Sequence, residues 1–244
     1  MSDCLVIIPT YNEKENIGKM LRTVMNLPHP FHLLVVDDNS QDGTAEIVIS
    51  LQAEYPDRIF MEQRAGKLGL GTAYIHGFRW GLQTKYNYIF EMDADFSHNP
   101  DDLVRLLNAC VIGGADMSIG SRYITGVNVV NWPMGRVMMS YFASMYVRIV
   151  TGMDIRDTTA GFVCYKRKVL ETLDFDKIRF TGYAFQIEMK FASWKLGFKI
   201  KEVPIIFTDR SEGQSKMSGG IFKEAIFGVI SMKVKGWYSS YKKN

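Results

Sequence analysis

Two carboxylates, Asp93 and Asp95, stand two residues apart in the run Phe90-Glu91-Met92-Asp93-Ala94-Asp95. Tyr88-Ile89-Phe90 is aromatic and β-branched, as at the end of a buried strand. Ser97-His98-Asn99-Pro100 reads as a turn into a helix, with Pro100 near its first position. Carboxylates at the C-terminal end of a parallel strand lie where open α/β sheets bind ligands. Both can reach one divalent cation through hard oxygens, and that cation can hold a diphosphate. A strand end that merely finishes in solvated acids would read the same, so the surrounding chain has to decide.

Two further strand ends carry polar groups. Tyr11 and Glu13 follow the apolar run Leu5-Val6-Ile7-Ile8, and Asp37-Asp38 follow Leu33-Leu34-Val35-Val36. Continuous apolar runs of this length suit strands buried on both faces. A parallel sheet gathers such ends on one rim at a topological switch point. Acids alone would repel an anionic substrate, so a nucleotide sugar would need a metal between them. The first two clusters could then bind base and ribose by hydrogen bonds. Solvation explains each cluster singly and all three together poorly.

The elements that must position these groups alternate. Helices are expected from the turn after Pro9 to about Met25, from about Asp42, and over Asp101–Ile112. Strands are expected at Leu5–Ile8, Leu33–Val36, Arg58–Gln63, the run ending at Phe90, and Met117–Gly120. Such alternation signals a parallel sheet with right-handed crossovers. Gly66-Lys67-Leu68-Gly69-Leu70-Gly71-Thr72 is neither a Walker loop nor a dinucleotide fingerprint. No Gly-Lys-Ser/Thr closes it, and Tyr74 stands where a third Gly belongs. It reads as a tight turn near a ligand, with Lys67 more a solvated charge than a phosphate contact. After Ser121-Arg122-Tyr123, Trp132-Pro133 opens a helix rich in Met138, Met139, Tyr141, Phe142, Met145 and Tyr146. Such a stripe reads as core, although a helix lying against lipid or a polyprenyl chain would look alike. Thr158–Lys166 and Phe198–Phe207 read as strands, the latter at an edge because of Pro204. Gly182–Leu196 and Ile221 to about Tyr238 read as helices.

Hydrophobic residues make up 47% and charged ones 23% of 244, an ordinary globular composition. A net charge of +3 is too small to argue for nucleic acid. From Ile205 to Asn244 seven Lys/Arg face three acids, so this tail alone could supply the excess. The three cysteines, Cys4, Cys110 and Cys164, are too scattered for a zinc knuckle or a disulfide framework and read as buried thiols of a cytosolic protein. No secretory leader is evident, and no apolar stretch reaches the roughly 20 residues that span a bilayer.

The chain resembles inverting family-2 glycosyltransferases, and among them the dolichol-phosphate mannose synthase group. The matching blocks are Val6–Glu13, Val35–Thr44, Met92–His98, Gly120–Tyr123, Asn131–Pro133 with Arg136, Ala160–Phe162, and Arg210 through Ser215-Lys216. The resemblance implies a GT-A fold: an α/β, mostly parallel twisted sheet flanked by helices, with amphipathic helices near the acceptor site and at the C-terminus. It implies one domain over 1–244, with a nucleotide-sugar half (1–120) and an acceptor half (121–244) that ends in an amphipathic helix over 219–240. Pro9, Tyr11, Glu13, Val36, Asp38 and Ala94 would hold the nucleoside. Asp93 and Asp95 would bind donor and Mg²⁺ or Mn²⁺, with Ser97 as a weak metal contact. Arg122, Arg136, Arg210, Ser215 and Lys216 would handle the phosphates: Arg122 and Arg210 at the reaction centre, Arg210 and Lys216 toward the donor, and Arg122, Arg136 and Ser215 toward the acceptor.

The implied reaction is transfer of mannose from GDP-mannose to a polyprenyl phosphate. Glucosyl transfer from UDP-glucose, or a non-catalytic nucleotide-sugar-binding subunit, are the alternatives. With no membrane span, lipid access would come from a membrane surface or a membrane-embedded partner at the cytoplasmic face. The last helix, with Trp237, Tyr238 and Tyr241 beside Lys233, Lys235, Lys242 and Lys243, would suit an anionic interface or would cap the core.

Overall fold

The computed structural model describes residues 2–182, 184–209, 221–238 and 240–243. Its first half alternates β1 (Cys4–Thr10), α1 (Lys14–Met25), β2 (His32–Asp37), α2 (Thr44–Glu54), β3 (Ile59–Gln63), α3 (Leu70–Leu82) and β4 (Tyr88–Glu91). Then come α4 (Asp102–Val111), β5 (Met117–Ser121), β6 (Val129–Val130), α5 (Met134–Thr151), β7 (Val163–Lys166) and α6 (Arg167–Thr172). The chain finishes with α7 (Ala184–Lys195), β8 (Ile200–Pro204), β9 (Phe207–Thr208) and α8 (Ile221–Tyr238).

Seven strands form one sheet in the order β3-β2-β1-β4-β7-β5-β8. β1 lies between β2 and β4, parallel to both, so the strand order reverses across it. That reversal opens a crevice at the C-terminal ends of β1 and β4. The apolar run of β1 is explained by burial on both sides. Leu5 and Ile7 join the core formed with α3 and α7, whereas Cys4, Val6 and Ile8 join the core with α1, α2 and α4. Alternate strand residues point to opposite faces, so a polar residue at any of these positions would be buried. All three cysteines are buried and unpaired.

Three expectations are revised. The strand expected over Thr158–Lys166 begins only at Val163 and runs antiparallel to both β4 and β5, leaving Asp157–Phe162 as a loop at the crevice. The strand expected over Phe198–Phe207 stops at Pro204, and Phe207–Thr208 turns away to pair with β6. β8 touches only β5, so Pro204 does sit on the sheet edge, where its missing N–H disturbs no ladder. Finally, α5 is not a core helix. Met134 and Ile149 are 72% and 75% exposed, Met138, Met139, Tyr141, Phe142 and Met145 are also exposed, and its buried residues are Ser144, Val147 and Thr151.

The tail packs Val229, Met232 and Tyr241 into the core and leaves Lys242 and Lys243 exposed, as the capping expectation has it. Tyr241 is buried against Phe191, and its hydroxyl donates to Glu188 Oε1 at 3.2 Å. Lys233 donates to the Thr151 carbonyl at the end of α5. Among the described side chains of α8, the exposed large apolar ones are Phe227, Ile230 and Val234. The side chains of Lys235, Trp237 and Tyr238 lie outside the described residues.

Candidate active site

At the end of β4 the chain turns sharply to present both carboxylates. Phe96 adopts φ +59°, a left-handed conformation that a bulky side chain rarely takes. The Ser97 N–H donates to Asp95 Oδ1 at 3.0 Å and holds the turn. Asp95 and Ser97 are buried, while Asp93 is partly exposed and takes a long contact from the Tyr74 hydroxyl at 3.3 Å. His98 is buried, stacked on Phe162 at 4.9 Å, and its Nδ1 faces the Asp93 N–H. Burial, with Arg122 adding to it, pulls the imidazole down to about 4 despite Asp95 and Asp157, so the ring stays neutral at pH 7.

Asp93, Asp95, Ser97 and His98 line a cavity of about 510 Å³ that also includes Arg122, Arg136, Ser140, Gly161 and Gln186. Arg122 is buried and already held. Its Nε and backbone N–H donate to Asp157 Oδ2 at 2.7 and 2.9 Å, and its Nη2 reaches Asp157 Oδ1 and Thr159 Oγ1. Tyr123, Trp132 and Phe207 surround the guanidinium. Arg136 stacks 4.1 Å over Trp132 and pairs with Asp209 at 3.0 Å. Two of the three guanidiniums expected to grip phosphate, Arg122 and Arg136, are therefore oriented by acids before any ligand arrives.

The residues expected at the nucleoside are adjacent but do not line this cavity. Asp37 is fully buried and braces the β1 and β2 loops, accepting from Thr10 Oγ1, Ser40 N and Ser40 Oγ. The Asn12 and Glu13 N–H groups donate to Ser40 Oγ and Thr44 Oγ1, which ties Tyr11 and Glu13 to the second strand end. Asp38 Oδ1 takes Arg64 at 2.6 Å, and Arg64 continues to Thr72 at the start of α3. Lys67 is exposed, as expected of a solvated charge, and lies 5.0 Å over the Tyr11 ring. Val36 and Ala94 are buried and Pro9 is partly buried. Arg210, Ser215 and Lys216 lie outside the described residues.

Beneath the cavity floor lies a polar cluster that the sequence did not reveal. Gln186 Nε2 donates to Glu91 Oε2 at 2.7 Å, and the Tyr165 hydroxyl donates to Glu91 Oε1 at 3.2 Å. Lys190 donates to the Ala160 carbonyl at 2.6 Å. Burial pushes Glu91 up to about 7 against the pull of Lys190, and burial draws Lys190 down to about 8. A lysine at i+4 from Gln186 on an otherwise apolar helix face was the available signal. Asp157 had none, since its partner is 35 residues away. Ser140, one turn beyond Arg136, was readable only once α5 was known to flank the cavity.

The donor set at Asp93, Asp95 and Ser97 is all oxygen and incomplete by itself. That suits a hard divalent cation whose remaining ligands are substrate phosphates and water.

The family model for glycosyl transferase family 2 matches residues 5–174. The chain belongs to glycosyl transferase family 2. It is 47% identical over 232 residues to a polyprenol monophosphomannose synthase of Mycolicibacterium smegmatis, covering 95% of this chain and 87% of that protein. Over 225 residues it is 46% identical to an undecaprenyl-phosphate mannosyltransferase of Micrococcus luteus, covering 92% and 91% respectively. The fold of this family-2 chain is similar to glucosyl-3-phosphoglycerate synthase from Mycobacterium tuberculosis, solved with Mn²⁺ and UDP-glucose. That likeness has a TM-score of 0.68 at 16% identity and covers 95% of this chain and 78% of the other. A mannosyltransferase from Pyrobaculum calidifontis, solved with GDP-Man and Mn²⁺, gives a TM-score of 0.61 at 17% identity over 99% of this chain and 66% of that one. The architecture is GT-A and the chain is a glycosyltransferase.

Proposed function

We propose that this chain transfers mannose, with inversion, from GDP-mannose to the terminal phosphate of a polyprenyl phosphate. The observation that carries the reading is one cavity with the Asp93–Asp95 pair on one wall and acid-oriented Arg122 and Arg136 on another, flanked by the exposed apolar helix α5. The polyprenol monophosphomannose synthase and undecaprenyl-phosphate mannosyltransferase relatives support mannose as the sugar and a polyprenyl phosphate as the acceptor.

The acceptor phosphate is already ionised at neutral pH, so attack on the anomeric carbon requires positioning rather than a strong base. A new bond forms from a phosphate oxygen to the anomeric carbon. The bond to the nucleoside diphosphate breaks, and GDP leaves with the electron pair. Asp93 and Asp95, assisted by Ser97, would hold Mg²⁺ or Mn²⁺, which when bound stabilises charge on the diphosphate. Arg122 and Arg136 receive the acceptor phosphate through N–H groups not directed at Asp157 and Asp209. Arg210, Ser215 and Lys216 are assigned to the phosphates on the family resemblance. Pro9, Tyr11, Glu13, Val36, Asp38 and Ala94 receive the nucleoside. Residues 1–120 and 121–244 act as donor and acceptor halves of one domain, with α5 against the membrane surface at the cytoplasmic face.

The test is to incubate the protein with a polyprenyl phosphate, a divalent cation and either GDP-mannose or UDP-glucose, and to identify the lipid product. A β-mannosyl phospholipid from GDP-mannose alone is expected, lost with EDTA and reduced at least ~10²-fold in Asp95→Ala. Product from UDP-glucose alone would overturn the mannose assignment. Unchanged turnover in Asp95→Ala would overturn the metal assignment.

A further inference from the structure

The Glu91–Gln186–Lys190 cluster is unused by the reaction as described, yet one member reaches the cavity. Gln186 is 2% exposed and lines the cavity floor. Lys190 can only donate, and its Nζ lies 3.4 Å from Gln186 Oε1 and 3.2 Å from the Gln186 carbonyl. The amide oxygen must therefore face Lys190, which turns the amide nitrogen toward Glu91, 2.7 Å away. One amide N–H is consumed there. The second meets no acceptor among the described residues.

Gly161 marks where that second N–H can act. A Cβ placed on Gly161 would lie 3.8 Å from Gln186 Nε2 and 3.9 Å from both Asp93 Oδ2 and the His98 ring carbon Cε1, so the polar neighbours are one donor and one acceptor. The space over Gly161 is thus bounded by a donor and an acceptor, and glycine keeps it open. A hydroxyl matches that pair, accepting from Gln186 and donating to Asp93. An ionised phosphate oxygen can accept from Gln186 but has no proton to donate to Asp93.

We propose that Gln186, locked by Glu91 and Lys190, hydrogen-bonds a hydroxyl of the donor's sugar in the space over Gly161. The inference rests on the nucleotide-sugar reading. Gln186 is a specificity-determining residue, and Glu91 and Lys190 are positioning residues.

Calorimetric titration of the full chain with GDP and with GDP-mannose, both with Mn²⁺, tests this without turnover. Gln186→Leu should bind GDP within about twofold of wild type and GDP-mannose about tenfold more weakly, the loss of one hydrogen bond. Lys190→Met should show the same selectivity. Wild-type protein titrated with GDP-linked 2-, 3-, 4- and 6-deoxymannose needs no substitution, and one of the four should bind about tenfold more weakly than GDP-mannose. In Gln186→Leu that same deoxygenation should cost clearly less than in wild type, because only the bond to Asp93 is left to lose. Equal weakening of GDP and GDP-mannose in Gln186→Leu, or four deoxy donors binding like the parent, would overturn the proposal. Wild-type protein that ignores GDP-mannose and binds UDP-glucose would overturn the mannose reading instead. The Gln186 comparison is then made between UDP and UDP-glucose.

Discussion

Arg122 shows how a single cation at this site is made useful. Left alone in a buried position it would be costly, and Asp157 balances it with three hydrogen bonds. Burial by itself would raise the Asp157 carboxyl, but the charge and hydrogen bonds of Arg122 hold it below the usual range. A carboxyl lowered in the folded state adds stability above its unfolded pKa of about 4 and loses it as pH falls through the lower folded value. Asp157→Asn should therefore be destabilised by about 3–5 kcal/mol at pH 7, where it strands the guanidinium. The gap to wild type should close as pH falls below about 4. Urea unfolding at pH 7 and in acid checks this, and a constant gap would contradict it. The sequence pointed to Arg122 through its motif. It could not point to Asp157, which acts from a loop with no periodicity of its own.

At the scale of elements, legibility followed burial. β1, β2 and α4 were readable because each repeats apolar residues at its own period against a core. β7 was readable as a strand but not in direction, since pairing partners leave no local trace. α6 was missed because six residues carry too little pattern; Arg167 fixes it by donating to the carbonyls of Leu82, the last residue of α3, and Thr84 just after it. α5 was misjudged because an exposed apolar stripe and a buried one share a composition. The approach of α3 to β1 offers a direct test of packing. A Cβ on Gly77 would lie 2.7 Å from Ile7 Cγ2. Gly77→Ala gains helix propensity, up to about 1 kcal/mol. It must displace a core side chain, at about 1–3 kcal/mol, and we expect the steric cost to win. Gly77→Val should be worse still. Chemical denaturation of both variants decides it, and an Ala variant more stable than wild type would show that Ile7 yields freely.

For the whole molecule, chemistry and lipid must meet at one surface. No helix among the described residues is long and apolar enough to cross a membrane. The exposed apolar side chains of α5 and of Phe227, Ile230 and Val234 on α8 nevertheless form neighbouring surfaces, because the two helices pack together. α5 also supplies Met139, Phe142, Ala143 and Tyr146 to the cavity, so one helix faces both substrate and surroundings. If this face rests on a bilayer, a polyprenyl phosphate can present its headgroup to Arg122 and Arg136 while its chain stays in lipid. Met138 and Ile149 are exposed and lie outside the cavity lining, so the proposed membrane contact can be tested apart from catalysis. The double substitution Met138→Glu, Ile149→Glu should leave stability within roughly 1 kcal/mol. Removing two apolar side chains of roughly 1.5–3 kcal/mol each from the contact, and adding charge, should abolish co-flotation with anionic vesicles. Transfer to vesicle-borne acceptor should fall with it, while kcat on a short, detergent-dispersed acceptor is retained. Flotation at the wild-type level would show that another surface holds the membrane. Loss of turnover on both acceptors would show instead that α5 acts only as a wall of the site.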